Sequence, residues 1–158
     1  MIEIIRIPKQ RLGVLIGKKG SIKKELEEKT KTHIHIEKDI EIRGEYEGVA
    51  KAEETIKAIG RGFSPEKAFL LLKEGYQLHI IYVRGNHKRV RRLLGRVIGK
   101  EGKAKKRIEE ETGCFISVFG KTVSIIGNYE KIDKAVHAVE LLLEGKTHSY
   151  VYSAMKNY

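Results

Sequence analysis

Two short segments of this sequence have the composition of a phosphate grip. Gly17-Lys18-Lys19-Gly20 and Gly99-Lys100-Glu101-Gly102 each set two residues between glycines, with lysine first. Glycine tolerates positive φ and carries no side chain, so such a segment turns sharply and lets a ligand approach the backbone. Amide N–H groups then open at the start of the following helix, a position that favours anions, and the lysines add charge. Two better-known phosphate loops do not fit. A mononucleotide P-loop needs four residues between its glycines and Ser or Thr after the lysine. Here Gly13 and Gly17 have three between them and Lys18 is followed by Lys19. A dinucleotide fingerprint, Gly-x-Gly-x-x-Gly after a strand, is matched by neither loop.

The charge around the second loop points the same way. The chain carries 32 Lys and Arg against 21 Asp and Glu, a net of +11 over 158 residues. Eleven of the basic residues fall between Arg84 and Arg107, where Glu101 is the one acid, so almost all the surplus surrounds Gly99–Gly102. A surplus of this size implies a polyanionic partner. Within the cluster, Val90, Leu93, Leu94, Val97 and Ile98 recur at helical spacing and predict a buried stripe. Arg89, Arg92 and Arg96 then share another face. No acid alternates with them, so an anion is expected to sit on that face.

Both loops lie inside a repeated unit, which must position them. The segment 13–20 recurs at 95–102, an offset of 82; Lys23-Lys24 answers to Lys105-Lys106, Glu27-Glu28 to Glu109-Glu110, Thr30 to Thr112 and Ile34 to Ile116. After one inserted residue, Gly44-Glu45-Tyr46-Glu47 answers to Gly127-Asn128-Tyr129-Glu130. The first copy reads as a strand from Ile2 to Ile7, a short helix with Leu12, Leu15 and Ile16, and the glycine loop. A helix follows from Ser21, as N-cap, to Thr30, burying Ile22 and Leu26; then come strands at 33–38 and 40–43 and a final helix. The second copy predicts a strand over 76–84, a helix from Asn86, the loop, a helix over 103–112, strands at 115–119 and 122–126, and a helix over 129–144. The order is βααββα, twice. Ser64 as N-cap with Pro65 at the first helical position predicts a linking helix, expected to pack between the copies and fix their relative orientation. The expected boundaries are 1–62, a link over 63–75, 76–146, and a tail over 147–158.

The segments Leu15 to Lys23 and Val97 to Lys105 resemble the signature of the KH domain in its βααββα form. That resemblance implies an α+β protein of two tandem type I KH domains whose loops clamp the backbone of single-stranded nucleic acid. Phosphates are then expected over Gly17, Lys18, Lys19 and Gly20, and over Gly99, Lys100, Glu101 and Gly102. Lys23, Lys24, Lys103 and Lys106 flank them, and Arg89, Arg92 and Arg96 add charge. Bases are expected in a groove lined by Ile16, Ile22, Ile34 and Ile36 in one copy and by Ile98, Ala104, Ile116 and Val118 in the other. The link Gly60 to Ala68, the second loop and the tail Ser149 to Met155 also resemble the tandem-KH small-subunit ribosome assembly factors of archaea and eukaryotes. Membership would imply a non-catalytic protein on single-stranded small-subunit rRNA near its 3′ end, with the Nob endonuclease, ribosomal or translation proteins as partners. The other reading is an adaptor in which one KH copy recruits such a partner. Eukaryotic members tend to have a degenerate first copy, whereas Gly17-Lys18-Lys19-Gly20 is intact and favours the archaeal type.

Other chemistries find little support. Cys114 is the one cysteine, which excludes an internal disulfide and a thiolate zinc cluster and suggests a small core residue in a reducing compartment. His33 and His35 share a strand face without a third ligand at recognisable spacing, so no metal and no cofactor are expected. Glu3 and Arg6 interrupt any leader-like apolar run, and no stretch approaches the roughly 20 residues of a membrane span. A cytoplasmic monomer with no enzymatic activity and no membrane partner is the expectation. Tyr150, Tyr152 and Tyr158 are left with three roles open: docking on the core, stacking on RNA, or binding a protein.

Overall fold

The computed structural model describes residues 1–158, which divide into two units, Met1–Glu74 and Gly75–Tyr158. In the first, Ile2–Ile5 (β1), Thr32–Ile36 (β2) and Ile40–Gly44 (β3) form an antiparallel sheet in the order β1-β3-β2. Leu12–Ile16 (α1), Ser21–Thr30 (α2) and Tyr46–Gly60 (α3) pack together, with α2 and α3 against the strands. The alternation of β3 explains which face they cover. Ile40 and Ile42 are buried, while Glu41 between them is half-buried and Arg43 after them is exposed, and Leu15, Leu26, Val49, Ala52, Ile56 and Ile59 complete the core. The first strand stops at Ile5, two residues short of the expectation, because Pro8 and the turn it opens redirect the chain. Pro65–Ala68 (α4) forms as predicted, with Ser64 accepting from the Lys67 amide at 3.3 Å. The link lies within the first unit and packs on α3, burying Phe63, Ala68 and Leu71.

The second unit repeats the plan with Tyr76–Tyr82 (β4), Phe115–Phe119 (β5) and Thr122–Asn128 (β6) in the order β4-β6-β5. Its helices are His87–Ile98 (α5), Lys103–Thr112 (α6) and Ile132–Glu144 (α7). Helix α7 begins three residues later than Tyr129, since Asn128 Oδ1 accepts from the Glu130 amide at 2.9 Å and holds a turn there. Residues of the tail form a further helix, His148–Lys156 (α8), capped by Thr147. Val151 and Met155 enter the core of this unit, and the Arg107 guanidinium lies 4.0 Å from the centre of the Tyr152 ring. Docking on the core is therefore the role of Tyr152, while Tyr150 and Tyr158 stay exposed.

Cys114 is buried beside Gly127, where an added Cβ would fall 2.4 Å from its Sγ. Burial pushes its thiol up from the ordinary range and so suppresses the reactive thiolate. Native protein at pH 8 is expected to resist iodoacetamide and to take up one equivalent once unfolded. Mass spectrometry reads both, and rapid labelling of the folded chain would contradict this placement.

Candidate nucleic-acid interface

The two glycine loops are copies of each other in conformation as well as composition. Gly17 (φ 73°, ψ 178°) matches Gly99 (φ 76°, ψ 175°), Lys19 (55°, 31°) matches Glu101 (56°, 26°), and Gly20 (73°, 16°) matches Gly102 (75°, 10°). Three of the four residues in each loop thus have positive φ, including one non-glycine. The hydrogen bonds agree too. Gly17 donates to Gly13 O at 2.9 Å and Gly20 to Gly17 O at 3.2 Å, and Gly99 and Gly102 repeat both bonds at the same lengths. No backbone bond ties the amides of Lys18 and Lys19, or those of Lys100 and Glu101, so these N–H groups are free to meet an anion at the helix start.

The helix that follows starts directly from the loop. Gly20 holds the N-cap position in the left-handed region without a side-chain bond, and Ser21 is the first helical residue, so Ser21 is not the cap. The loop turns the chain into the helix by its own positive φ, which removes the need for a capping hydroxyl. Lys18, Lys19, Lys24, Lys100, Glu101, Lys103 and Lys106 are exposed around the loops. Lys23 is half-buried and 3.8 Å from Glu27. Ile16 and Ile98, each just before its loop, are both 37% exposed, an unusual placement for isoleucine and the same one in both copies.

The expected apolar walls divide in two. Ile36, Ile22 and Val118 are partly exposed, but Ile34 and Ile116 are each 3% exposed and Ala104 is buried. These three are core residues rather than surfaces for a base. The strand alternation that exposes His33 and His35 turns Ile34 inward. The edge of the strand is also closed: the amide of Ile34 donates to Glu27 Oε2 at 2.7 Å, and that of Ile116 to Glu109 Oε2 at 2.8 Å. The repeated glutamate visible in the sequence is thus a clamp between helix and strand edge. It blocks strand addition at that edge.

Helix α5 corrects a further expectation. Residues seven apart lie on one line of a helix and residues two apart on nearly opposite flanks. Arg91 therefore shares a flank with Ile98, whereas Arg89 shares one with Arg96. On the first flank, His87, Val90, Arg91 and Leu94 line a cleft of about 510 Å³ closed by Gly120 and Lys121 of the β5–β6 turn. Arg96 does not present its guanidinium to an outside anion. Its Nε donates to Leu142 O at 2.9 Å and its Nη2 to Lys146 O, at the C-terminus of α7. Counting unpaired charge along the sequence grouped Arg96 with the outward arginines; an intramolecular carbonyl pair absorbs it. His87, Arg91 and Lys121 are cleft residues that the charge count did not single out, although the position of Arg91 relative to Ile98 was the available signal.

Comparison with known proteins agrees with this geometry. Residues 77–158 match the family model for the second KH domain of PNO1, a eukaryotic type KH-domain (KH-domain type I), and residues 2–58 match the KH domain. A KH domain-containing protein of Methanocaldococcus jannaschii is 43% identical over 98% of this chain and 73% of its own length. The RNA-binding protein pno-1 of Caenorhabditis elegans is 30% identical over 68% of the chain, which spans 41% of that protein. Dim2p of Pyrococcus horikoshii, known from its crystal structure, is 43% identical with a TM-score of 0.91, covering 100% of this chain and 99% of Dim2p. A second structure from that organism, an a/eIF2alpha–aDim2p–rRNA complex, gives the same identity and TM-score over 99% of this chain and 93% of the matched one. Two superposable loops on two type I KH folds, matched along nearly the whole chain, place it: the protein belongs to the tandem KH-domain family that includes archaeal Dim2p and eukaryotic pno1.

Proposed function

We propose that this chain is a non-catalytic RNA-binding protein that holds single-stranded small-subunit rRNA, near its 3′ end, during ribosome assembly. The observation that carries this reading is the duplicated loop: two sets of free amides in one conformation, each beside an exposed isoleucine and unpaired lysines. Phosphates would meet the amides and Lys18, Lys19 and Lys100. Bases would lie on Ile16 or Ile98 and, in the second unit, continue into the cleft beside Arg91. The relatives support the class of RNA, since Aspergillus fumigatus pno1 is a pre-rRNA-processing protein and the Pyrococcus aDim2p structure contains rRNA. The a/eIF2alpha in that complex favours a translation protein as a further partner, and a processing endonuclease fits the same role. The chain covers 44% of the fungal protein's length.

The test is affinity for a short single-stranded tail copied from small-subunit rRNA. Lys100→Asp, and separately Lys18→Asp with Lys19→Asp, are each expected to weaken binding about tenfold at physiological salt. If seven phosphates are neutralised, log K against log salt falls with a slope of about −5 on a single strand. Affinity that survives both loop variants and stays flat in salt would remove the RNA reading.

A further inference from the structure

Helix α5 is basic on two flanks, and only one of them faces the cleft. The other is identified by Arg96, which is fixed to the carbonyls of α7. Lys88, Arg89 and Arg92 lie on or beside that flank, all exposed, and none forms an ion pair in the chain. Arg89 is also held in place. Its side chain lies back over Gly85, where an added Cβ would fall 2.6 Å from Arg89 Cδ and 3.2 Å from Nε. Its own amide is tied to Asn86 Oδ1 at 2.8 Å.

The two flanks differ in what accompanies the charge. The cleft flank sets the exposed Ile98, a surface on which a base can rest, in line with Arg91 at the cleft. The far flank offers cations alone, at three- and four-residue spacings that hold neighbouring side chains about 5–6 Å apart. Single-stranded RNA is held by stacking surfaces together with charge. Duplex RNA is held through its shape and its phosphates, because its bases are not available for stacking. A rigid, purely cationic helix flank suits the second.

We propose that the Arg89–Arg92 flank of α5 is a second RNA-binding surface that takes the phosphate backbone of a duplex, while the loop and cleft hold an adjoining single strand. This rests on the RNA-binding reading above and adds the class of RNA structure the protein selects: a single strand next to a stem.

Two probes test it with the full chain: the single-stranded rRNA tail alone, and the same tail joined to a hairpin. The parent protein is expected to bind the tailed hairpin about tenfold more tightly. Arg89→Glu with Arg92→Glu removes that gain and lowers affinity for the bare tail by a much smaller factor, through the weaker positive field around the second loop. The slope of log K against log salt on the tailed hairpin becomes shallower by about 2, taking about 0.9 per duplex phosphate. Thermal unfolding checks that the variant is folded, and Arg89→Gln with Arg92→Gln replaces it if charge reversal lowers the midpoint. The proposal is overturned if the hairpin adds no affinity, if the variant weakens both probes equally, or if it changes neither. Lys100→Asp combined with Lys18→Asp and Lys19→Asp separates the two ideas: should it leave binding to the bare tail intact, the single-strand reading fails instead.

Discussion

Gly99→Ala is expected to destabilise the second unit by about 3 kcal/mol, against about 1 kcal/mol for Gly102→Ala three residues on. Both glycines have φ near 75°, but they sit in different regions. Gly99 combines φ 76° with ψ 175°, a conformation essentially restricted to glycine that costs about 1–3 kcal/mol in any other residue. An added Cβ there would also fall 2.6 Å from Ala104 Cβ and 2.8 Å from its amide nitrogen. Backbone cannot move aside cheaply, and overpacking of this kind costs about 1–3 kcal/mol more. Gly102, at φ 75° and ψ 10°, is in the ordinary left-handed region, with nothing within 4 Å of the added atom. Its penalty is the left-handed one alone, about 1–2 kcal/mol. Gly17→Ala repeats the Gly99 result in the first unit, because its Cβ would meet Ile22 Cγ1 at 2.4 Å and the Ile22 amide nitrogen at 2.9 Å.

Thermal unfolding checks this directly, with a drop of roughly 10–20 °C for Gly99→Ala in a unit of this size. Equal midpoints for Gly99→Ala and Gly102→Ala would contradict the tight seating of the loop on the following helix. The two glycines thus have separate duties. The first lets the chain pass against the helix start, and the second turns it into that helix. RNA affinity is expected to follow the same division, since the free amides keep their direction only while the first glycine is seated.

Most of the architecture was legible because the repeat supplied it twice. The same order of elements was read in both copies, and the matched pairs Thr30/Thr112 and Glu27/Glu109 prove to do matched work. Thr30 and Thr112 each donate to a helix carbonyl at 2.7 Å, and the glutamates clamp strand edges. The readings that failed depend on information a one-dimensional pattern lacks. Alternation gave Ile34 and Ile116 a face but not the depth at which the helices would cover them. Periodicity set Arg89, Arg92 and Arg96 on one face of the basic helix but not the carbonyls at the end of α7 that take up Arg96. Which arginine stays exposed and which meets a carbonyl is set by the end of a helix more than forty residues away.

That last distinction yields the second large effect. Arg96→Ala is expected to cost about 3 kcal/mol of stability. Its guanidinium serves two carbonyls at the C-terminus of α7, where a cation is favoured by the helix dipole and each charged hydrogen bond is worth about 1.5–3 kcal/mol. His148 adds a contact from α8 to the Arg96 carbonyl at 3.0 Å, so the same residue ties three helices. The first unit solves the problem from another position. Arg11 donates from Nε to Ile59 O at 2.7 Å and from Nη2 to Phe63 O at 2.8 Å. Ile59 and Phe63 correspond to Leu142 and Lys146 by the offset of 83, yet Arg11 aligns with Leu93 rather than Arg96. The carbonyl pair is therefore the fixed requirement of the fold, and the arginine that meets it has shifted by about one turn. Arg96→Lys should recover little, because an ammonium lacks the planar pair of donors. Affinity for the single-stranded tail, measured per folded molecule, should be unchanged in both variants. Loss of RNA binding with full stability would return Arg96 to the outward, anion-facing role that its place in the basic cluster suggested.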